Sequence, residues 1–194
     1  MSLAPRTPDL KANLGVSNGA FGTIISTGSI GSIIMLLIGG QIVHRIGAKR
    51  ALQIGSTGIS LTYSLLVHTR SPMLFVLLNI TAGACISIYH IASSGHSLHR
   101  QDELGRVIIP KLHGAWGVGA MSTAAIAFAI STHISITSHI TALMIIVWLL
   151  TQFSIIKLSN TFPINSDSDD QYQVSSLKQF KFKINWFLSL GFFC

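Results

Sequence analysis

Residues 21–43 read FGTIISTGSIGSIIMLLIGGQIV without a charged side chain, and the basic segment HRIGAKR, residues 44–50, follows at once. A bilayer core about 30 Å thick needs about 20 consecutive apolar residues in an α-helix, and this stretch has that length. Four further uncharged segments are of comparable length, namely residues 51–67, 73–95, 113–131 and 139–156. The sequence therefore predicts an all-α, polytopic bundle of transmembrane helices.

The composition excludes an ordinary water-soluble domain. Charged residues make up 10 % of the 194 residues, against about a quarter in typical globular proteins. Lys and Arg are confined to short segments between the apolar runs, so the net charge of +7 indicates topology rather than a basic face for nucleic acid. The expected environment is the lipid bilayer, and no nucleic-acid partner is expected.

The pattern divides the chain into four parts. We expect residues 1–17 to be an extracytoplasmic N-terminal segment and residues 18–158 to be a bundle of five spans. Residues 159–183 are polar enough for a cytoplasmic linker. Residues 184–194 resemble the start of a truncated sixth helix, because 11 residues extend only about 16 Å in a helix.

The basic residues predict the orientation. The connections on one side carry ten Lys and Arg, whereas those on the other side carry Arg6, Lys11 and Arg70. Cytoplasmic loops of membrane proteins are enriched in Lys and Arg. The ten-charge side is therefore expected to be cytoplasmic, with the N-terminus outside.

Small residues predict which helix faces pack, because they let helix backbones approach closely in a membrane. Two spans carry them along one face: Gly28, Ser32 and Gly39 in the first, and Gly117, Ala120, Ala124 and Ser131 in the fourth. Both faces are expected to be helix contacts. The fifth span is bulky and apolar on all sides, and we expect it to face lipid.

The third span carries a polar stripe and supplies most of the candidate site. Five residues fall within an arc of about 80° on a helix: Asn79, Gly83, Ser87, His90 and Ser94. Polar groups at membrane depth tend to face the bundle interior or an aqueous cavity. The residues proposed for solute or proton contact are Asn79, Ser87, Tyr89 and His90, with Trp116 from the fourth span.

The same stripe has a second interpretation. Asn79 and the serines could hydrogen-bond to neighbouring helices, with His90 in the headgroup region. Histidine changes charge near physiological pH, so in the first interpretation His90 could take part in proton coupling.

Other chemistry has little support in the sequence. His96 and His99 could share a helix face near Asp102 and Glu103, but no further His or Cys completes a metal-ligand spacing, so we expect a solvated loop and no metal. No phosphate-binding glycine loop and no catalytic constellation is present in the sequence. We expect neither a cofactor nor an enzyme.

The segment GQIVHRIGAKR, residues 40–50, resembles the cytoplasmic signature loop of the major facilitator superfamily, which reads Gly, three residues, Asp, Arg, one residue, Gly and then basic residues. Five positions match it: Gly40, Arg45, Gly47, Lys49 and Arg50. His44 stands at the acidic position and Ala48 at a basic one.

Two further segments strengthen the resemblance. Residues 8–17 are similar to the family's external stretch between helices one and two, and residues 105–119 to the entry of helix five in its fucose-permease-like bacterial branch. The resemblance implies a partial major-facilitator fold, with helices two to six and the start of helix seven. It places the third span as helix four, which lines the solute cavity in the family.

The resemblance implies a secondary transporter that moves a small solute by alternating access across a bacterial cytoplasmic membrane. The alternative is a small non-transporting membrane protein that acts as an oligomeric partner or assembly subunit through the faces of Gly28 and Gly117.

Overall fold

The structure, a computed structural model, describes residues 3–131 and 133–158. These residues form helices and no strand, which confirms the all-α prediction. A 3₁₀ turn, Ala4–Arg6, precedes the helices in this part of the chain: α1 (Thr7–Leu14), α2 (Asn18–Ser26), α3 (Gly28–Ile46), α4 (Ala48–His68), α5 (Pro72–Leu104), α6 (Ile109–Ile130) and α7 (Ile136–Ile156). The predicted linker, 159–183, and the predicted sixth segment, 184–194, lie outside the described residues.

Four of these elements are long and apolar enough to cross a membrane, judged by length and composition. They are α2 together with α3 as one stretch of 29 residues, then α5, α6 and α7. Helix α4 has 21 residues and so the necessary length, but it is less apolar than the others. Each of the five apolar segments in the sequence falls on one of these elements.

Helix α4 contacts both α5 and α7, and two of its hydroxyl side chains are hydrogen-bonded to α7. Trp148 Nε1 donates to Thr57 Oγ1 at 3.0 Å, and Gln152 Nε2 lies 3.1 Å from the hydroxyl oxygens of both Ser56 and Thr57. Hydrogen bonds between helices of this kind offset the cost of polar groups at membrane depth. A helix inside the bundle therefore needs less apolar surface than one that faces lipid.

The first span is interrupted at Thr27, where α2 ends and α3 begins. Hydroxyl groups there donate to their own backbone: Ser26 Oγ to Thr23 O at 2.8 Å and Thr27 Oγ1 to Ile24 O at 2.6 Å. Such bonds from Ser and Thr compete with regular helix geometry and bend helices. The run of Ser and Thr accounts for the break in an otherwise continuous apolar segment.

Helices α3 and α5 meet backbone to backbone. A Cβ atom on Gly31 would overlap the carbonyl oxygen of Ile80, and one on Gly83 would overlap the carbonyl oxygen of Gly28. Ser32 Oγ also donates to Gly83 O at 3.1 Å. The small-residue face predicted on the first span is therefore confirmed as a helix contact, and we call it the α3–α5 seam.

The corresponding prediction for the fourth span is wrong at its centre. A Cβ atom on Gly117 would meet nothing within 4 Å among the described residues, and Ala127 is the buried residue of α6. Within the described part of the chain, the main contacts of α6 are with the Ala4–Arg6 turn and α5, and Ala120 also lines a cavity shared with α4 and α7. Gly117 has open space beside it, whereas Ala120 and Ala124 are partly buried.

Helix α7 has one exposed apolar side, as predicted, but a polar opposite side. Ile145, Ile146 and Leu150 are more than half exposed, which fits a lipid-facing surface. Trp148 and Gln152 instead lie against α4, so the helix is not uniformly lipid-facing.

A hydrophobic cluster joins the helices at one end of the bundle, which we call the N-terminal end. Phe21 and Phe75 lie at its centre, with ring centroids 6.4 Å apart. The cluster also includes buried residues of α1, α4 and α7: Leu10, Leu14, Leu66, Val67, Ile136 and Ile140. The opposite end carries the α3–α4 turn, the C-terminus of α5 and the C-terminus of α7, and we call it the basic end.

The seam predicts a strong difference between two glycines of α5. Gly83→Ala should lower the thermal unfolding midpoint in detergent, because the added carbon overlaps backbone and overpacking costs about 1–3 kcal/mol. Gly95→Ala, on the same helix with nothing within 4 Å, should be neutral or stabilising. Equal midpoints for the two variants would show that the helices do not meet at Gly83.

Candidate functional site

The polar stripe of α5 is largely occupied by contacts with α2 and α3. Asn79 Nδ2 donates to Ile24 O at 3.1 Å and to Ile25 O at 2.7 Å, at the break between those two helices. A Cβ atom on Gly28 would lie 3.2 Å from the Asn79 amide. Asn79 therefore links α5 to the α2–α3 break through hydrogen bonds to backbone carbonyl groups.

The remaining stripe residues divide along α5. Gly83 lies in the α3–α5 seam and Ser87 is buried, whereas His90 and Ser94 are exposed. His90 makes a ring contact with its neighbour Tyr89 at 6.4 Å, in an edge-on arrangement. His90 and Ser94 are thus the part of the stripe that remains accessible.

Tyr89 points away from the seam, toward α4 and α7. Its Cβ lies close to Gly55, and its side chain lines a cavity of about 320 Å³ between α4, α5 and α7 at the basic end. We call this the basic-end cavity. Its lining is rich in hydroxyl groups, from Tyr89, Ser93, Ser97, Thr151 and Ser154.

Trp116 lies in a different place. It is 60 % exposed and lines a cavity of about 470 Å³ between α4, α6 and α7, together with Tyr63 and Thr123. The rest of this lining is mostly apolar, and Leu3 of the N-terminal segment closes one side. We call it the α6 cavity.

The five residues selected from the sequence therefore do not meet in one cavity of the described chain. Asn79 and Ser87 are held between helices, Tyr89 and Trp116 line separate cavities, and His90 is exposed. Sequence patterns did not reveal Tyr63 or Thr123, because their spacing within α4 and α6 differs little from that of ordinary packing residues.

The segment that resembles the signature loop forms a sharp turn between α3 and α4. Gly47 adopts φ 84° and ψ 149°, a backbone conformation that is essentially restricted to glycine. Gly40, His44 and Arg45 are exposed on the last turns of α3 and line an open groove. The turn geometry explains why the sequence needs glycine at position 47.

Lys49 links this turn to the end of α7. Its Nζ donates to Ile156 O and to Leu158 O, each at 3.1 Å. The last carbonyl groups of a helix lack partners within the helix, and a lysine near them is favourable for the helix dipole. The neighbouring Arg50 is exposed and makes no hydrogen bond to another described residue.

Arg6 makes the corresponding link at the N-terminal end. It is 2 % exposed, its Nε lies 2.7 Å from Asp9 Oδ2, and its second guanidinium nitrogen donates to Ile134 O at 2.9 Å. It thus holds the N-terminal segment against the connection between α6 and α7. This burial could not be predicted, since Arg6 lies in a polar stretch outside the apolar runs.

The two histidines considered for metal binding lie in helix α5, which continues to Leu104, and not in the expected loop. His99 Nε2 lies 3.2 Å from Glu103, which also pairs with Arg100 at 2.6 Å. Within residues 3–131 and 133–158, no group of three or more His, Cys, Asp or Glu side chains could hold a metal ion.

The turn geometry predicts the effect of substitution at Gly47. Gly47→Ala should destabilise the chain by about 1–3 kcal/mol, because alanine is strained in this conformation. Gly40→Ala, in a helical conformation with open space around it, is the matched control and should be neutral or stabilising. Thermal unfolding in detergent measures both, and an unaffected Gly47→Ala protein would contradict the described turn.

The Lys49 contacts predict a second asymmetry. Lys49→Gln should cost about 1 kcal/mol of stability, since it removes charge-assisted hydrogen bonds to the end of α7. Arg50→Gln, at the exposed neighbouring position, should change stability by less than about 0.5 kcal/mol. The rate of amide hydrogen exchange in the last turn of α7 provides the local measurement. Equal rates in both variants would show that Lys49 does not stabilise the end of α7.

Comparison with known proteins finds sequence matches to transporters. The model of the MFS_1-like family matches residues 10–102. An uncharacterised MFS-type transporter of Yersinia pestis is 23 % identical over 118 residues, which cover 61 % of this chain and 31 % of that protein. A gallate transporter of Pseudomonas putida is 32 % identical over 79 residues, 41 % of this chain and 18 % of that protein. No solved structure matches the chain significantly.

The matches thus span less than a third of the length of either relative. The family match, residues 10–102, includes the Gly47 turn and the α3–α5 seam. With four helices able to cross a bilayer, the chain is an integral membrane protein, and the family match and both relatives support a transporter of the major facilitator superfamily.

Proposed function

We propose that the chain forms part of one half of a secondary transporter, which moves a small solute across a bacterial cytoplasmic membrane by alternating access. The observation that carries this proposal is the coincidence of the family match, residues 10–102, with the glycine turn at Gly47 and helices that can cross a bilayer. The names of both relatives describe transporters, which supports the same function.

In this proposal the described bundle contributes five spans. Helices α2 and α3 together correspond to family helix two, and α4 to α7 correspond to family helices three to six. Helix α4 is included because its 21 residues extend about 31 Å and because α7 hydrogen-bonds to its Ser56 and Thr57 hydroxyls. Residues 1–17 would lie outside, 159–183 would form the linker and 184–194 would begin helix seven.

The basic end is proposed to be cytoplasmic. Among the described residues, seven Lys and Arg lie there: Arg45, Lys49, Arg50, Arg100, Arg106, Lys111 and Lys157. The N-terminal end carries Arg6, Lys11 and Arg70, and Arg6 is already paired with Asp9. The difference supports the orientation through the enrichment of basic residues on the cytoplasmic side.

His90 is the proposed solute or proton contact on α5, because it is the accessible ionisable residue of the polar stripe. An imidazole can exchange a proton near physiological pH or pair with a carboxylate. One relative is a gallate transporter, so aromatic carboxylates are the first solute class to test. Asn79 is hydrogen-bonded to carbonyl groups at the α2–α3 break, so we propose that it acts in helix packing instead.

Uptake into membrane vesicles tests this function. Vesicles from cells that express the complete transporter containing this chain should accumulate labelled gallate, or another member of a panel of aromatic carboxylates, faster than vesicles without it, and an imposed proton gradient should increase the rate. Absence of uptake across the panel, with the protein present and folded, would contradict the solute class.

Substitution of His90 separates its proposed role from a structural one. His90→Ala should reduce uptake about tenfold or more at an unchanged amount of protein in the membrane, since general acid–base and charge contacts contribute factors of this size. His68→Ala, an exposed histidine at the N-terminal end, is the control and should transport normally. Normal uptake by the His90 variant would exclude His90 from the pathway.

One observation favours the alternative function, a non-transporting oligomeric partner. The α6 glycines, Gly114, Gly117 and Gly119, have open space beside them in the described chain, whereas Gly28 is already used in the α3–α5 seam. Light scattering of detergent extracts from native membranes tests this alternative. Stable oligomers of the 194-residue chain, together with an absence of uptake, would favour it over transport.

A further inference from the structure

The basic-end cavity is separate from the accessible part of the polar stripe. It lies between α4, α5 and α7, has a volume of about 320 Å³ and is open to the surroundings rather than enclosed. Neither the family match nor the transport proposal assigns a ligand to it. Its lining offers hydroxyl groups from two helices, α5 and α7.

The hydroxyl groups fall into two classes. Ser97 Oγ donates to Ser93 O and Ser154 Oγ donates to Leu150 O, each at 2.8 Å, so their oxygens remain available as acceptors. The hydroxyls of Tyr89 and Thr151 make no hydrogen bond to any residue that the structure describes, so they can donate to a ligand. The cavity therefore suits a ligand that both accepts and donates hydrogen bonds.

The positive charge next to the cavity comes from Lys49, which does not line it. Lys49 Nζ lies 3.1 Å from the carbonyl oxygen of Leu158, a cavity residue, and two of its three N–H groups donate to carbonyl groups there. Lys157 Nζ lies farther out, 4.3 Å from the centroid of the exposed Phe153 ring. The carboxylate of Glu103 pairs with Arg100 at 2.6 Å.

The depth of the cavity places it near the membrane surface. It lies along the last two turns of α7, beside the first turn of α4. Helix α5 has 33 residues and extends about 50 Å, so its C-terminal part projects beyond a hydrocarbon core of about 30 Å. Ser93 and Ser97 thus lie where lipid headgroups and the basic residues of the α3–α4 turn meet.

From this combination we propose that the basic-end cavity binds the phosphate-containing headgroup of an anionic phospholipid. Tyr89 and Thr151 donate to phosphate oxygens, and Ser97 and Ser154 accept from hydroxyl groups of the headgroup. Lys49 supplies positive charge at the rim, and basic residues near a membrane surface attract anionic lipid. A free phosphate ion shares the phosphate chemistry, and the experiment below separates the two sources.

Thermal unfolding in nanodiscs tests the site. The purified chain is placed in phosphatidylcholine nanodiscs with increasing fractions of phosphatidylglycerol, and the unfolding midpoint is followed. Phosphatidylglycerol should raise the unfolding midpoint of the wild type. In Tyr89→Phe/Thr151→Val, which lacks two hydroxyl groups of the cavity, the fraction of phosphatidylglycerol that gives half of this increase should be about tenfold higher. The matched control is Tyr63→Phe/Thr123→Val in the α6 cavity, and it should respond like wild type.

Equal responses of the two double variants would overturn the proposal. A second arm uses inorganic phosphate with nanodiscs of phosphatidylcholine alone. If phosphate reproduced the stabilisation and Tyr89→Phe/Thr151→Val abolished it, the ligand would be soluble phosphate and the lipid assignment would be wrong. If the double variant fails to fold, Thr151→Val alone is compared with Thr123→Val, with the same expected difference.

Discussion

The backbone contact between α3 and α5 is the constraint on which the rest of the bundle depends. In a membrane, lipid tails do not drive helices together by hydrophobicity, so association relies on close packing and hydrogen bonds. Gly31 and Gly83 remove the side chains that would separate the two backbones, and Ser32 adds a hydrogen bond across the seam. With α5 fixed against α3, α4 packs on α5 and α7 packs on α4.

Polar residues complete this arrangement rather than disturb it. Asn79 bonds to carbonyl groups at the break between α2 and α3, and Gln152 bonds to hydroxyls on α4. Lys49 and Arg6 bind backbone carbonyls at opposite ends of the bundle. These four side chains have defined partners at helix contacts, whereas His90 is the exposed ionisable residue of the α5 stripe.

Helix positions and one packing face could be predicted from the sequence, because apolar length and small-residue spacing are local properties. The face of Gly28 and Ser32 was predicted in this way and meets α5. The fourth span has the same pattern, but Gly117 has no neighbour within 4 Å in the described chain, so spacing alone does not identify a partner. The role of the α5 stripe was ambiguous for a related reason, since an asparagine such as Asn79 can either hydrogen-bond to a neighbouring helix or contact a solute.

The most direct test of this account is an experimental structure of the chain in a lipid nanodisc, with an antibody fragment for cryo-electron microscopy. The account predicts that the carbonyl oxygen of Ile80 lies in van der Waals contact with Gly31, with no side chain or lipid between α3 and α5. A lipid chain or an intervening helix between Gly31 and Gly83 would contradict the seam and the arrangement of the helices built on it.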